Sequence, residues 1–139
     1  MRTDDAAGEF RVLRMRTLAT AALTAGAFEL VEDVRSEGQG PAPHIHRRSD
    51  EAFYVLAGRF AFTRGDEELE ATPGTLVFIP KETRHAYRAL DDESRLLILY
   101  VPAGGFDDFL RELDGLLATG LTSAEAMARL RGKYDSDPA

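Results

Sequence analysis

The chain has three histidines, His44, His46 and His85, and all fall within a span of 42 residues. A carboxylate, Glu51, follows the first pair closely. Imidazole nitrogen and carboxylate oxygen together suit a divalent first-row transition metal: Fe, Mn, Co, Ni, Cu or Zn. The sequence contains no cysteine, which removes thiolate sites, disulfides and a cysteine nucleophile. Any metal must therefore be held by nitrogen and oxygen. Three or four such ligands leave at least one coordination position for water, substrate or O2.

The spacing says how the ligands could meet. In a strand, residues i and i+2 point to one side, so His44 and His46 project together while Ile45 faces away. Arg47–Asp50 reads as a polar turn, and Glu51 opens the next strand. With those two strands as neighbours, the carboxylate returns to the histidine pair. His85 begins a later strand and closes the set from across a barrel. By the same parity, Phe53 and Val55 accompany Glu51 inward, and Tyr87 and Ala89 accompany His85.

The elements that must carry these residues read as short strands. Phe10–Met15 alternates apolar and basic residues like an edge strand, Thr17–Gly26 is a loop or weak strand, and Phe28–Val34 alternates again. Gly38–Pro43, with two Gly and two Pro, is extended or turned. Further strands are expected at Glu51–Leu56, Arg59–Thr63, Glu67–Ala71, Leu76–Ile79, His85–Leu90 and Arg95–Val101, separated by turn signals. A strand about every ten residues predicts an all-β sandwich, barrel or jelly roll. After Gly105 the period changes. Phe106, Phe109, Leu110, Leu113, Leu116 and Leu117 form the stripe of an amphipathic helix. A second helix starts near Thr122, where Thr122 and Glu125 make a capping box, with Met127, Leu130 and Tyr134 as its apolar stripe. These helices are expected to pack on the barrel or across a dimer.

At 139 residues the chain is expected to form one domain. Its formal charge of −7 is dispersed in short acidic clusters such as Asp4–Asp5, Asp66–Glu68 and Asp91–Glu93. That balance argues against nucleic acid and anionic lipid as partners. No apolar run has the length of a membrane helix. Met15–Ala27 faintly resembles a secretory signal, yet it starts at residue 15, follows Asp4, Asp5 and Glu9, and contains three threonines. The expectation is a cytoplasmic protein.

Gly38-x5-His44-x-His46-x4-Glu51-x6-Gly58 resembles the first cupin motif without departure. Gly74-x5-Pro80 and His85 resemble the second, with Glu82 where the family has glycine and Ala89 where it has asparagine. The resemblance covers about residues 28–101, and the 106–139 tail is similar to that of small quercetin-dioxygenase-like bacterial cupins. It implies a double-stranded β-helix over residues 1–105, a helical extension over 106–139, and a metal inside one open end. It also implies ligand roles for His44, His46, Glu51 and His85, and, as in quercetinase-like members, a proton-accepting role for Glu51. A homodimer follows from the resemblance and from the apolar helix faces.

The fold hosts many reactions, so the sequence leaves three functions open. The first is a dioxygenase acting with O2 on an aromatic or enolic small molecule, flavonol- or polyketide-like. A pocket of Phe53, Val55 and Tyr87, with Phe60, Phe62 and Phe78 nearby in sequence, would suit such a substrate. The second is a non-oxidative, metal-dependent isomerase, cyclase or decarboxylase. The third is a non-catalytic small-ligand binder. Arg47, Arg48, Lys81 and Arg84 flank the motifs and read chiefly as solvated surface.

Overall fold

Alternation of apolar and polar side chains folds the chain into two five-stranded antiparallel sheets. The computed structural model describes residues 10–139; the polar Met1–Glu9 stretch lies outside the described residues. The strands are β1 (Met15–Ala19), β2 (Glu29–Arg35), β3 (His44–Ile45), β4 (Asp50–Ala57), β5 (Phe60–Arg64), β6 (Glu67–Ala71), β7 (Leu76–Ile79), β8 (His85–Ala89), β9 (Ser94–Val101) and β10 (Asp137–Pro138). One sheet has the order β1-β2-β9-β4-β7, the other β10-β3-β8-β5-β6. Their inner faces meet in a jelly-roll core.

The inward parity holds on both motif strands: Glu51, Phe53 and Val55 are buried on β4, and His85, Tyr87 and Ala89 on β8. Phe53, Phe60 and Phe62 are essentially inaccessible. Phe53 meets Phe62 and Tyr87 edge to face, with ring centroids 5.0 and 5.2 Å apart, the geometry that aromatic quadrupoles favour. Burying each such side chain contributes roughly 1.5–3 kcal/mol. Phe78 differs from the sequence reading. It lies on the outer face of β7 with Leu76, and both are exposed.

Two helices follow the strands, as the change of period predicts: α2 (Phe106–Leu117) and α3 (Ser123–Arg129), after a single-turn α1 (Ala21–Thr24). Thr122 and Glu125 form the capping box of α3. The N-cap of α2 is Gly105, which has no side chain to offer. The buried Glu29 carboxylate on β2 takes that place. Its two oxygens accept the N–H groups of Gly104, Gly105, Phe106 and Asp107 at 2.9–3.0 Å, meeting both the orphan donors and the positive end of the helix dipole. The apolar stripe of α2 (Phe106, Phe109, Leu110, Leu113) is buried against the barrel. It is therefore used within the chain and is not free for a dimer.

Three segments depart from the sequence reading. Phe10–Met15 is not a strand. The backbone N–H groups of Arg11, Val12 and Leu13 all donate to the Asp114 carboxylate of α2 at 2.6–2.8 Å, so they are unavailable to a ladder. The first strand begins at Met15, inside the signal-like stretch. Second, α3 ends at Arg129, so Tyr134 leaves the expected helical stripe and packs on Phe109 with ring centroids 5.7 Å apart. Third, the tail is not only helical: β10 pairs with β3 and joins the sheet that carries two of the histidines. Among the described residues, no helix is long and apolar enough to cross a membrane.

Candidate metal centre

His44 and His85 face each other directly in the β3–β8 pairing. His46 lies just past β3, and its ring centroid is 4.9 Å from that of His44. Glu51 comes from β4, which belongs to the opposite sheet. The routes are thus the reverse of the sequence expectation. His85 comes from the neighbouring strand, and Glu51 reaches across the barrel. The cause is that Arg47–Ser49 crosses between the sheets where a hairpin was expected. The convergence is nevertheless complete. One ligand atom from each of His44, His46, Glu51 and His85 lies within 4.8 Å of all the others, and all four residues are buried. Two ligands of one first-row ion at about 2.1 Å each lie at most about 4.2 Å apart, so side-chain shifts of a few tenths of an ångström close the shell.

The outer nitrogens fix the inner ones. The Nδ1 atoms of His44, His46 and His85 lie 2.8, 2.6 and 2.8 Å from the carbonyl oxygens of Ala42, Asp135 and Thr83. A carbonyl only accepts, so each Nδ1 carries the proton and each Nε2 points a lone pair inward. This is the supporting arrangement typical of metal-binding histidines. Glu51 Oε1 lies 2.7 Å from His85 Nε2 and 3.3 Å from His46 Nε2. His46 Nε2 is buried with no hydrogen-bond partner. Lone pairs so close demand a cation between them, a proton or a metal ion.

The electrostatics agree. Burial, with His85 and His46 adjacent, pushes His44 down to about 3, so it stays neutral. Burial also lowers His46, but Glu51 outweighs it and the net shift is upward. Burial raises the Glu51 carboxyl, yet His46 and His85 outweigh it and hold the group well below the usual carboxylate range. Glu51 is a committed anion, as a ligand should be.

The tail locks the loop that bears His46. Besides the Asp135 carbonyl on His46, the Asp135 carboxylate accepts the N–H groups of Arg47, Arg48 and Ser49 at 2.7, 2.9 and 3.0 Å. The Glu82 backbone N–H donates to His46 O. Glu82 itself has φ +67°, the left-handed conformation that glycine adopts at no steric cost. This is one of the two positions that depart from the motif.

A small, partly open cavity of about 40 Å³ is lined by three of the four candidate ligands, His44, His46 and Glu51. Its walls include Tyr87 and Tyr100 from the barrel, Phe109 and Leu113 from α2, Met127 from α3, and Arg35. Room for roughly three water-sized groups remains. Of the three expected substrate-binding residues, only Tyr87 reaches it, and its phenol is engaged as a donor to Asp33 Oδ2 at 2.6 Å. Phe53 and Val55 sit in the core and do not line the cavity. Arg35, Asp33 and Tyr100 went unnoticed in the sequence. The alternation Leu96, Ile98, Tyr100 on β9 was the signal for Tyr100. A larger open groove of about 570 Å³ runs along the outer face of the other sheet, past Ala61, Thr63, Ala86 and Arg88, and includes none of the four ligands.

Comparison with known proteins agrees with this geometry. The cupin domain model matches residues 31–102. The chain is a cupin. Quercetin 2,3-dioxygenase of Bacillus subtilis (strain 168) is 30% identical over 98 residues, which make up 70% of this chain and 29% of that enzyme. This cupin therefore spans less than a third of that relative's length. Among solved structures, an RmlC-like cupin protein from Desulfovibrio desulfuricans aligns with TM-score 0.57 and 25% identity, covering 70% of this chain and 91% of that one. KdgF from Halomonas sp. aligns with TM-score 0.61 and 23% identity over 68% and 86%; this likeness concerns the fold.

Proposed function

We propose that this cupin is a metal-dependent small-molecule enzyme and that its reaction is the dioxygenation of an enolic substrate in the cytoplasm. The observation that carries the metal is the set of three Nε2 lone pairs and one carboxylate, buried together and fixed from behind by three backbone carbonyls. The similarity to quercetin 2,3-dioxygenase supports the oxygen chemistry.

His44, His46, Glu51 and His85 would hold the ion. Bound there, a divalent metal supplies Lewis acidity toward a substrate oxygen and, if redox-active, electron exchange with O2. The rest falls to the chain. Tyr100 and Tyr87 wall the cavity beside the ligands, and α2 and α3 add the apolar side chains of Phe109, Leu113 and Met127, a low-polarity wall that strengthens charge interactions beside it. Glu51 accepts the proton of the substrate hydroxyl as that oxygen approaches the centre. The cavity is much smaller than a flavonol, so the reading requires either a compact enolic substrate or an outward shift of α2 and α3.

The test combines elemental analysis of protein purified without an affinity tag with an oxygen electrode and a panel of enolisable ketones. A stoichiometric redox-active metal and substrate-dependent O2 uptake support the proposal. Turnover without O2 uptake moves the function to isomerisation, cyclisation or decarboxylation. Metal-free protein from every preparation refutes the metal reading.

A further inference from the structure

Arg35 ends β2 with its side chain turned inward and only 14% exposed. Its Nε lies 2.9 Å from both carboxylate oxygens of Asp33, which is fully buried. The Tyr87 ring lies beneath the guanidinium, 5.9 Å from centroid to Cζ, and the Tyr87 phenol grips the same Asp33. Asp33 and Tyr87 thus hold the guanidinium in one orientation. Among the described residues, its two terminal Nη nitrogens make no hydrogen bond to a protein acceptor, and they are not sealed from solvent. Arg35 also lines the same small cavity as His44, His46, Glu51 and Tyr100.

We propose that Arg35 is the anion-binding group of this cavity and that the site takes a small monoanionic oxo- or hydroxy-carboxylate. The substrate carboxylate meets the guanidinium, and its second oxygen faces the histidine cluster. The inference rests on the metal centre proposed above. An ion pair that only neutralised Asp33 would be complete with the Nε contacts. The unused terminal fork is planar and presents parallel N–H groups, which match a two-oxygen anion. Charge leads to the same ligand. With a divalent ion held by Glu51, and Asp33 matched by Arg35, the cavity carries one net positive charge. Buried charge is costly unless paired, and a monoanion completes the pairing. The small volume disfavours a bulky ligand.

The test is calorimetric titration of Co(II)-loaded protein with pyruvate and 4-oxopentanoate, and with the methyl ester of each. Co(II) uptake is measured first. One ion per chain is expected in the wild type and in Arg35→Gln, since Arg35 is not among the ligands. At least one acid should bind the wild type tenfold or more tighter than its ester. Arg35→Gln should erase that preference by weakening the acid alone. Arg35→Lys, which keeps the charge but loses the fork, should weaken the acid by a smaller factor. It also decides the matter if Arg35→Gln fails to fold. The proposal is overturned if both acids bind the wild type no better than their esters, or not at all. It is equally overturned if the acid preference is undiminished from wild type in Arg35→Gln or Arg35→Lys protein that holds one Co(II). Failure of the wild type to take up Co(II) sinks the metal centre as well, so the two failures are distinguishable.

Discussion

Replacing Asp135 by alanine leaves all four candidate ligands in place and should still impair both stability and metal affinity. The carboxylate accepts three backbone N–H groups from the segment between His46 and Asp50. Ser49 is almost inaccessible, so its N–H, once abandoned, cannot turn to water and costs about 1–3 kcal/mol. The N–H groups of Arg47 and Arg48 are nearer the surface, and each bond lost there costs about 1 kcal/mol. The total is about 4 kcal/mol, a large share of the stability of a domain this size. Loosening that segment also frees the His46 ring, whose orientation depends on the Asp135 carbonyl. Loss of such outer support lowers metal affinity about 10–100-fold. Urea unfolding of the metal-free protein measures the first effect, and competition with a chromogenic chelator measures the second. Asp135→Asn, which keeps one acceptor oxygen, should fall between wild type and alanine. An unfolding free energy within about 0.5 kcal/mol of wild type, the usual range for an inert surface change, together with unchanged metal affinity, would refute the idea that the tail holds the centre together.

Glu51→Gln should reduce turnover far more than it reduces substrate binding, by steady-state kinetics and calorimetry; equal losses in both would leave no proton-transfer role. The Asp114 carboxyl feels burial most, which raises it, but the N–H groups of Arg11, Leu13 and Val12 outweigh that and hold it below its ordinary value. A depressed carboxyl stabilises the fold above its unfolded value and loses that contribution as pH falls through its folded value. Asp114→Asn should thus be less stable than wild type at pH 7, and the gap should narrow below about pH 4; a gap independent of pH contradicts the assignment. The homodimer can be tested at the exposed residues Tyr54, Leu56, Leu76 and Phe78, which form one apolar patch on β4 and β7 through the Tyr54–Leu76 and Ala52–Phe78 pairings. A second copy of the chain covering this apolar patch predicts a dimer in sedimentation velocity that Phe78→Glu converts to monomer. A wild-type monomer at high concentration would dismiss it.

The four candidate ligands are legible because histidine is scarce here and because strand parity is a local property. Two residues apart on a strand means one side, whatever the rest of the chain does. The same rule gave the inward course of Glu51, Phe53 and Val55. It did not say how deep each would lie, and this is why Phe53 became core and not pocket. Depth depends on which sheet a strand joins, and the pairing of β3 with β8 instead of β4 is a long-range fact with no local signature. Asp114 holding Arg11–Leu13 and Glu29 capping α2 are likewise contacts between residues far apart in sequence. Phe10–Met15 departs from its pattern for that reason: its alternation suits a strand, but a distant carboxylate claims its donors.

These long-range contacts share a purpose that the motif residues alone do not reveal. Glu29 holds the start of α2, Asp114 ties α2 to the segment before β1, and Asp135 ties the tail to the histidine loop. Each is a buried or nearly buried carboxylate that accepts several backbone N–H groups, and together they hold α2 and the tail against the barrel. An isolated buried carboxylate is unfavourable, so placing three of them this way makes sense where the cover must be fixed in register over the site. The cover then does two things at once. It supplies the apolar wall of the cavity through Phe109, Leu113 and Met127, and through Asp135 it supplies one of the three carbonyls that aim the histidines. A substrate that displaced the cover would also disturb His46, so access and ligand geometry are coupled. That coupling favours a substrate small enough to enter without lifting the tail.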